Sequence, residues 1–135
     1  MHKKLKTLTV EQLKILHFEI LKHQGQEYLP LPKEKEKYLE SAIKGINQTF
    51  GGKELYPTKC DKAIQLLIGI ESAQAFPDGS KRVALAAFEM FMHLNKSKIN
   101  DNITQKDKTK FMLLIANHKI SKKNAVECCI HSLRV

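Results

Sequence analysis

The sequence predicts an all-α fold, and three observations carry that reading. Apolar residues recur at three- and four-residue spacing along most of the chain, the period of one helix face. Threonine or serine stands just before several of these segments, and in three of them Gln or Asp follows three residues later, the mark of a capped helix start. The glycine and proline clusters fall mainly between the periodic segments. With 135 residues, no internal repeat and no linker-like tract, residues 1–135 read as one compact helical domain of about six helices.

The elements follow in order. Thr9 and Gln12 form a capping box, with Leu8 and Leu13 placed for a hydrophobic staple around it. Val10, Leu13, Leu16, Ile20 and Leu21 then mark the first helix, which Gly25 should stop. Tyr28 to Pro32 contains two prolines and should be extended. Tyr38, Leu39, Ala42, Ile43 and Ile46 mark a second helix ending near Asn47. Phe50 to Pro57 is too glycine-rich for a helix and reads as a loop or short hairpin. Thr58 and Asp61 open a strongly apolar helix through Ile70. After a break at Gln74–Arg82 comes a helix so apolar on most faces, from Val83 to Leu94, that it must be central. Thr104 with Asp107, and then Ser121, begin two more helices, carrying Phe111, Met112, Leu114 and Ile115 and then Val126, Cys129, Ile130 and Leu133.

Composition narrows the function classes. The chain is 42% hydrophobic and 27% charged, ordinary for a globular protein and unlike a disordered one. No apolar run approaches the roughly 18 residues of a spanning helix. The basic start, Met1 to Thr7, is followed by no signal-like apolar stretch, so the cytoplasm is the expected compartment. Three cysteines, two of them adjacent, make a poor disulfide framework, and Cys128 and Cys129 are expected on one helix as small apolar fillers. The net charge of +9 comes from lysines spread along the chain and interleaved with acids, as in Lys33-Glu34-Lys35-Glu36-Lys37. That is the pattern of a solvated surface, and nucleic acid is not an expected partner.

The chemistry concentrates in the break before the central helix. Pro77 and Gly79 force a turn there, Asp78 or Ser80 can cap the next helix, and Lys81 and Arg82 fall in its first turn. Cations are unfavourable at that end of a helix, which is already positive. Two of them beside free backbone N–H groups make sense where an anion is bound, and Gly79 supplies the permissive backbone of a phosphate-binding nest.

This segment, Gln74-Ala75-Phe76-Pro77-Asp78-Gly79-Ser80-Lys81-Arg82-Val83-Ala84, resembles the signature of the death-on-curing (Doc) branch of the Fic proteins, which reads His-x-Phe-x-Asp/Asn-Gly/Ala-Asn-Lys-Arg-x-Ala. Leu39-Glu40-Ser41-Ala42, Gln48 to Pro57, Phe88 to Asn95 and Ile115 to Ile120 resemble further blocks of the family, so the likeness runs from about Thr7 to Leu133. It implies an all-helical fold and transfer of a phosphoryl or AMP group from ATP to a protein hydroxyl, with the translation machinery as a target. By position, Phe76 would anchor the loop, Asp78 would reach Mg²⁺ on the nucleotide, and Gly79, Ser80, Lys81 and Arg82 would hold the phosphates. Leu55, Tyr56 and Pro57 would form the flap that positions the target. A small antitoxin partner is implied as well, and the protein would be the toxin of such a pair.

Two departures from the signature bear on activity. Gln74 stands where the family has its general-base histidine, and Ser80 stands at the asparagine position. An amide has no usable basicity, so a loss of about 10²–10⁴-fold in rate is expected, and the alternative is a non-catalytic relative that binds a nucleotide or a protein through the retained loop. His93 lies 13 residues beyond Ser80 on the same helix, about 20 Å away, too far to substitute. His17, His23, His118 and His131 belong to no motif and read as core or surface residues. The Arg-Asp pair that Doc-type proteins often carry upstream is replaced by Pro, Lys and Glu between Tyr28 and Tyr38.

Overall fold

A computed structural model describes residues 5–133. The basic start Met1–Lys4 lies outside the described residues, as does the side chain of Leu133. Six α-helices and one small hairpin follow one another: α1 Val10–His23, α2 Glu36–Gly45, β1 Thr49–Phe50, β2 Lys53–Glu54, α3 Lys59–Ala73, α4 Ser80–Leu94, α5 Gln105–Ala116 and α6 Lys122–Cys128. The all-α expectation and the short hairpin near residues 50–57 are both met. Among the described residues, no helix is long and apolar enough to cross a membrane.

The predicted caps are present. Thr9, Thr58 and Thr104 each accept from the N–H three residues on, and Gln12, Asp61 and Asp107 return the bond to the cap residue's own N–H. Ser121 caps α6 by accepting from the Asn124 N–H. At the far end of α1, Gly25 has φ +66°, its N–H bonds to the Lys22 carbonyl, and Gln26 N–H reaches back to Leu21. That is the left-handed stop the glycine predicts. Lys96 and His118 close α4 and α5 in the same way, at φ 62° and 55°.

Helix α2 begins at Glu36, after a 3-10 turn at Lys33–Lys35, and its last helical residue is Gly45, a little short of the expected end. The other difference is at the C-terminal side. Helix α6 ends at Cys128, and Cys129 opens a π-helical turn, Cys129–Leu133, so the two cysteines do not share one regular helix. The wider turn accompanies burial of Cys129, whose sulfur lies 3.0 Å from that of Cys60 on α3.

Helices α3 and α4 share the most extensive interface of the molecule. Ala63, Ile64, Leu66, Leu67 and Ile70 of α3 are buried, as are Val83, Ala84, Ala87, Phe88, Phe91 and Met92 of α4, which makes α4 the central helix its composition predicts. Helix α2 covers α3, α1 lies against α4, and α5 closes over Phe88 through Phe111, with ring centroids 6.4 Å apart. Asn95, at the end of α4, ties down the N-terminal segment: Lys6 N–H donates to its Oδ1 (2.7 Å), and its Nδ2 donates to the Lys6 carbonyl (2.8 Å). Lys62 is nearly buried, and its ammonium donates to the Ile46 carbonyl (2.9 Å) and to Glu54 (3.0 Å), fastening the hairpin to α3.

Close packing of α2 on α3 depends on Gly69. A Cβ there would lie 3.0 Å from the Ala42 Cβ and 3.4 Å from its Cα. Gly69→Ala should therefore lower stability by about 1–3 kcal/mol in denaturant unfolding, although alanine is the better helix former. Adding Ala42→Gly should recover a clear part of the loss; no recovery would mean that the two helices do not meet at this point.

Candidate functional site

Residues Gln74–Gly79 reverse the chain between α3 and α4. Gln74 is the C-cap of α3 and adopts a left-handed backbone, φ 47° and ψ 39°. Ala75 and Phe76 then turn inward and are buried, whereas Pro77 and Asp78 are exposed. Gly79 is again left-handed, φ 84° and ψ 13°, and serves as the N-cap residue of α4. This last conformation costs a glycine almost nothing.

Neither Asp78 nor Ser80 caps α4, contrary to the sequence expectation. The helix begins at Ser80, and the N-cap position falls on a residue with no side chain to lend. The Ser80 hydroxyl instead points back to the Phe76 carbonyl at 3.4 Å, a long contact. No side chain caps the start of α4, and its first turn contains no acid. Lys81 and Arg82 stand there, both exposed. Lys81 lies 3.7 Å from the Glu71 carboxylate. Arg82 donates to the neutral amides of Gln24 and Gln26, which leave its charge uncompensated. Free N–H groups, the positive end of a long helix and two cations therefore converge at one spot.

Phe76 anchors the loop as expected, and it does so against His17, which the sequence reading left without a role. The two rings are 4.5 Å apart, Tyr28 lies 5.6 Å from His17 on another side, and His17 is completely buried. Its Nε2–H donates to the Asp78 carbonyl at 2.9 Å, while Nδ1 is buried with no hydrogen-bond partner among the described residues. Burial in this apolar niche holds the His17 pKa below the usual 6.5; the nearby Asp78 opposes that shift without cancelling it. Its spacing, four residues after Leu13 and four before Leu21 on the buried face of α1, was the available signal.

Gln74 is exposed at the histidine position of the signature. Its amide folds back onto the end of α3, where Nε2 donates to the Glu71 carbonyl (2.7 Å) and to Glu71 Oε1 (2.9 Å). Glu71 thus touches both Gln74 and Lys81. Nothing in the signature points to Glu71, and only the fold brings it into the site.

The segment Leu55-Tyr56-Pro57 is not brought to this loop. It precedes the N-terminus of α3, whereas Gln74 follows its C-terminus, and the 15 residues of the helix separate the two by about 22 Å. Tyr56 packs under the Lys122 ammonium of α6, 4.0 Å from the ring centroid. His93 is exposed on α4 and remote from the loop, as its spacing predicts. On the other flank, Lys81 and Arg82 border a groove of about 890 Å³ between α1, α4 and α5, lined by Leu16, Ile20, Leu85 and Met112 among others.

The donor set fits a phosphate group: uncapped N–H groups, a left-handed glycine and two cations. For a metal, the described residues include no cluster of three or more acidic, histidine or cysteine ligands. Asp78 is one carboxylate, so Mg²⁺ would take most of its ligands from the nucleotide and water, its common habit.

The turn joins the two most buried helices of an all-helical domain. The sequence model of the Fic/DOC family matches residues 7–92, from just before α1 to the last turn of α4 with the whole loop included, and the chain belongs to that family. Members act in general as transferases on proteins. The match stops short of Ile115–Ile120. No curated protein matches the sequence.

The His17 contact makes a pH prediction. A group whose folded pKa is depressed contributes stability above its unfolded pKa, and that stability is lost as pH falls through and below about 6.5. His17→Gln keeps an N–H donor but does not titrate. Its melting temperature should therefore fall less than that of the parent between about pH 7.5 and pH 5.5. Parallel curves would show that His17 does not titrate differently in the two states.

Proposed function

We propose that the chain is a Doc-type transferase that binds ATP at the Gln74–Arg82 loop and passes a phosphoryl or AMP group to a protein hydroxyl, at a rate lowered by Gln74. The observation that supports this most is the uncapped, acid-free start of α4 with Lys81 and Arg82 in its first turn. Binding at helix N-termini of this kind is a general property of phosphates. In this reading Gly79, Ser80, Lys81 and Arg82 hold the phosphates, and Asp78 holds Mg²⁺. The metal, when bound, neutralises charge on the phosphates. Phe76 and His17 keep the loop in place from below.

The role as a toxin held by a small antitoxin is part of the same proposal. The groove beside Lys81 and Arg82 would take a short amphipathic segment with acidic groups, which would cover the phosphate-binding cations. Leu55, Tyr56 and Pro57 have no part in the loop's chemistry in this reading, because they sit at the opposite end of α3.

Calorimetric titration with ATP–Mg²⁺ tests the binding half. The parent should bind, and Lys81→Ala with Arg82→Ala should abolish it; equal affinity in the double variant would reject the site. Transfer is read from label on the α- or γ-phosphate after incubation with cell extract, the label's position separating AMP transfer from phosphorylation. Gln74→His should raise labelling at least about tenfold, a modest share of what a general base contributes. One observation favours the non-catalytic alternative: the Gln74 amide is engaged in capping α3. Binding of ATP with no labelling by parent or Gln74→His would establish that alternative.

A further inference from the structure

The Gln74 amide cannot take a proton, but the side chain it holds can. Glu71 lies in the last turn of α3, with its side chain 16% exposed, so the carboxylate is sheltered yet reachable. Gln74 Nε2 donates to Oε1 at 2.9 Å, and the Lys81 ammonium stands 3.7 Å from the same oxygen. Both contacts fall on Oε1, and among the described residues no hydrogen bond is made to Oε2. A carboxylate held through one oxygen, with its second oxygen not engaged in a hydrogen bond among the described residues and a lysine beside it, has the layout of an oriented base.

We propose that Glu71 Oε2 is the proton acceptor of this site where the signature's histidine is absent, a weaker base positioned by Gln74, so that Gln74→His remains an activating change. The inference rests on the nucleotide-binding reading of the loop. A phosphate contacting Lys81 would lie within one side-chain contact of Glu71. As the attacking hydroxyl oxygen forms its bond to phosphorus, its proton passes to Oε2. The bond from phosphorus to the leaving oxygen breaks, and its electron pair departs with ADP for attack at the γ-phosphate or with pyrophosphate for attack at the α-phosphate. The protonated Glu71 then returns its proton to water. A carboxylate is basic enough to serve here. Positioning and charge stabilisation dominate in loose phosphoryl-transfer transition states, and protein kinases use an aspartate to accept the substrate proton. Lys81, on α4, is the charged side chain that faces Glu71 among the described residues.

The test uses ATP–Mg²⁺ with water as the simplest hydroxyl acceptor, measuring nucleotide cleavage by the full chain against a protein-free control. Glu71→Gln preserves shape and an acceptor for Gln74 but removes the base. Its turnover should fall by a factor of about 10² or more, while calorimetric affinity for ATP–Mg²⁺ is no weaker than the parent's. Glu71→Ala should be equally slow and should regain turnover with added formate, which supplies a small carboxylate; a purely structural role would show no such rescue. Turnover by Glu71→Gln within about threefold of the parent, or a parent that binds ATP but cleaves none above the control, would overturn the assignment and leave the binding site standing. A parent that binds no ATP would sink both readings.

Discussion

The structure depends on one reversal of chain direction. Helices α3 and α4 are buried on most of their faces and pack against each other along their length, so the six residues that join them must turn the chain without leaving the end of that pair. Two left-handed residues, Gln74 and Gly79, make the turn, and the buried Phe76 holds it down against His17. The consequence is a helix that starts abruptly at Ser80 behind a glycine. Its first N–H groups therefore lack a side-chain cap, and the same constraint that completes the core also leaves donors suited to an anion.

The charges around that turn form a short circuit of specific contacts. Glu71 lies between Gln74 and Lys81, and Arg82 rests on the amides of Gln24 and Gln26. One cation is thus partly neutralised and the other only solvated by protein dipoles. An incoming phosphate would meet Arg82 unopposed and would share Lys81 with Glu71. That arrangement places a carboxylate beside Lys81 in a protein whose signature position carries an amide. It ties the amide at Gln74 to the carboxylate of its neighbour.

His17 shows how a single polar group can serve a loop from inside the core. Its Nε2–H satisfies the Asp78 carbonyl, which would otherwise face an apolar niche, while its Nδ1 has no partner among the described residues. Burial of the ring, which penalises its charged form, is the reason the site should respond to acid. At the other end of the α3–α4 pair, Lys59 bonds to the Asn95 carbonyl and Ser97, and Lys62 holds the hairpin. The hairpin belongs to that end, distant from the loop.

The helices, most of their caps and the turn that opens α4 were legible from residues alone because each rests on short-range chemistry. Threonine with Gln or Asp three residues on makes a capping box wherever the chain is helical, and apolar spacing declares the buried face. A glycine followed by Lys-Arg at a helix start suits an anion whatever packs behind it. What the sequence could not determine were contacts between residues distant along the chain, or side-chain directions within the turn. His17 and Asp78 are 61 residues apart, and no local pattern announces their bond. Asp78 and Ser80 looked like caps because their chemistry suits a cap; which residue occupies the N-cap position was decided by the left-handed turn that the α3–α4 packing imposes. The choice of Glu71 as the partner of both Gln74 and Lys81 was tertiary too, since it arises only when the last turn of one helix and the first turn of the next are folded side by side.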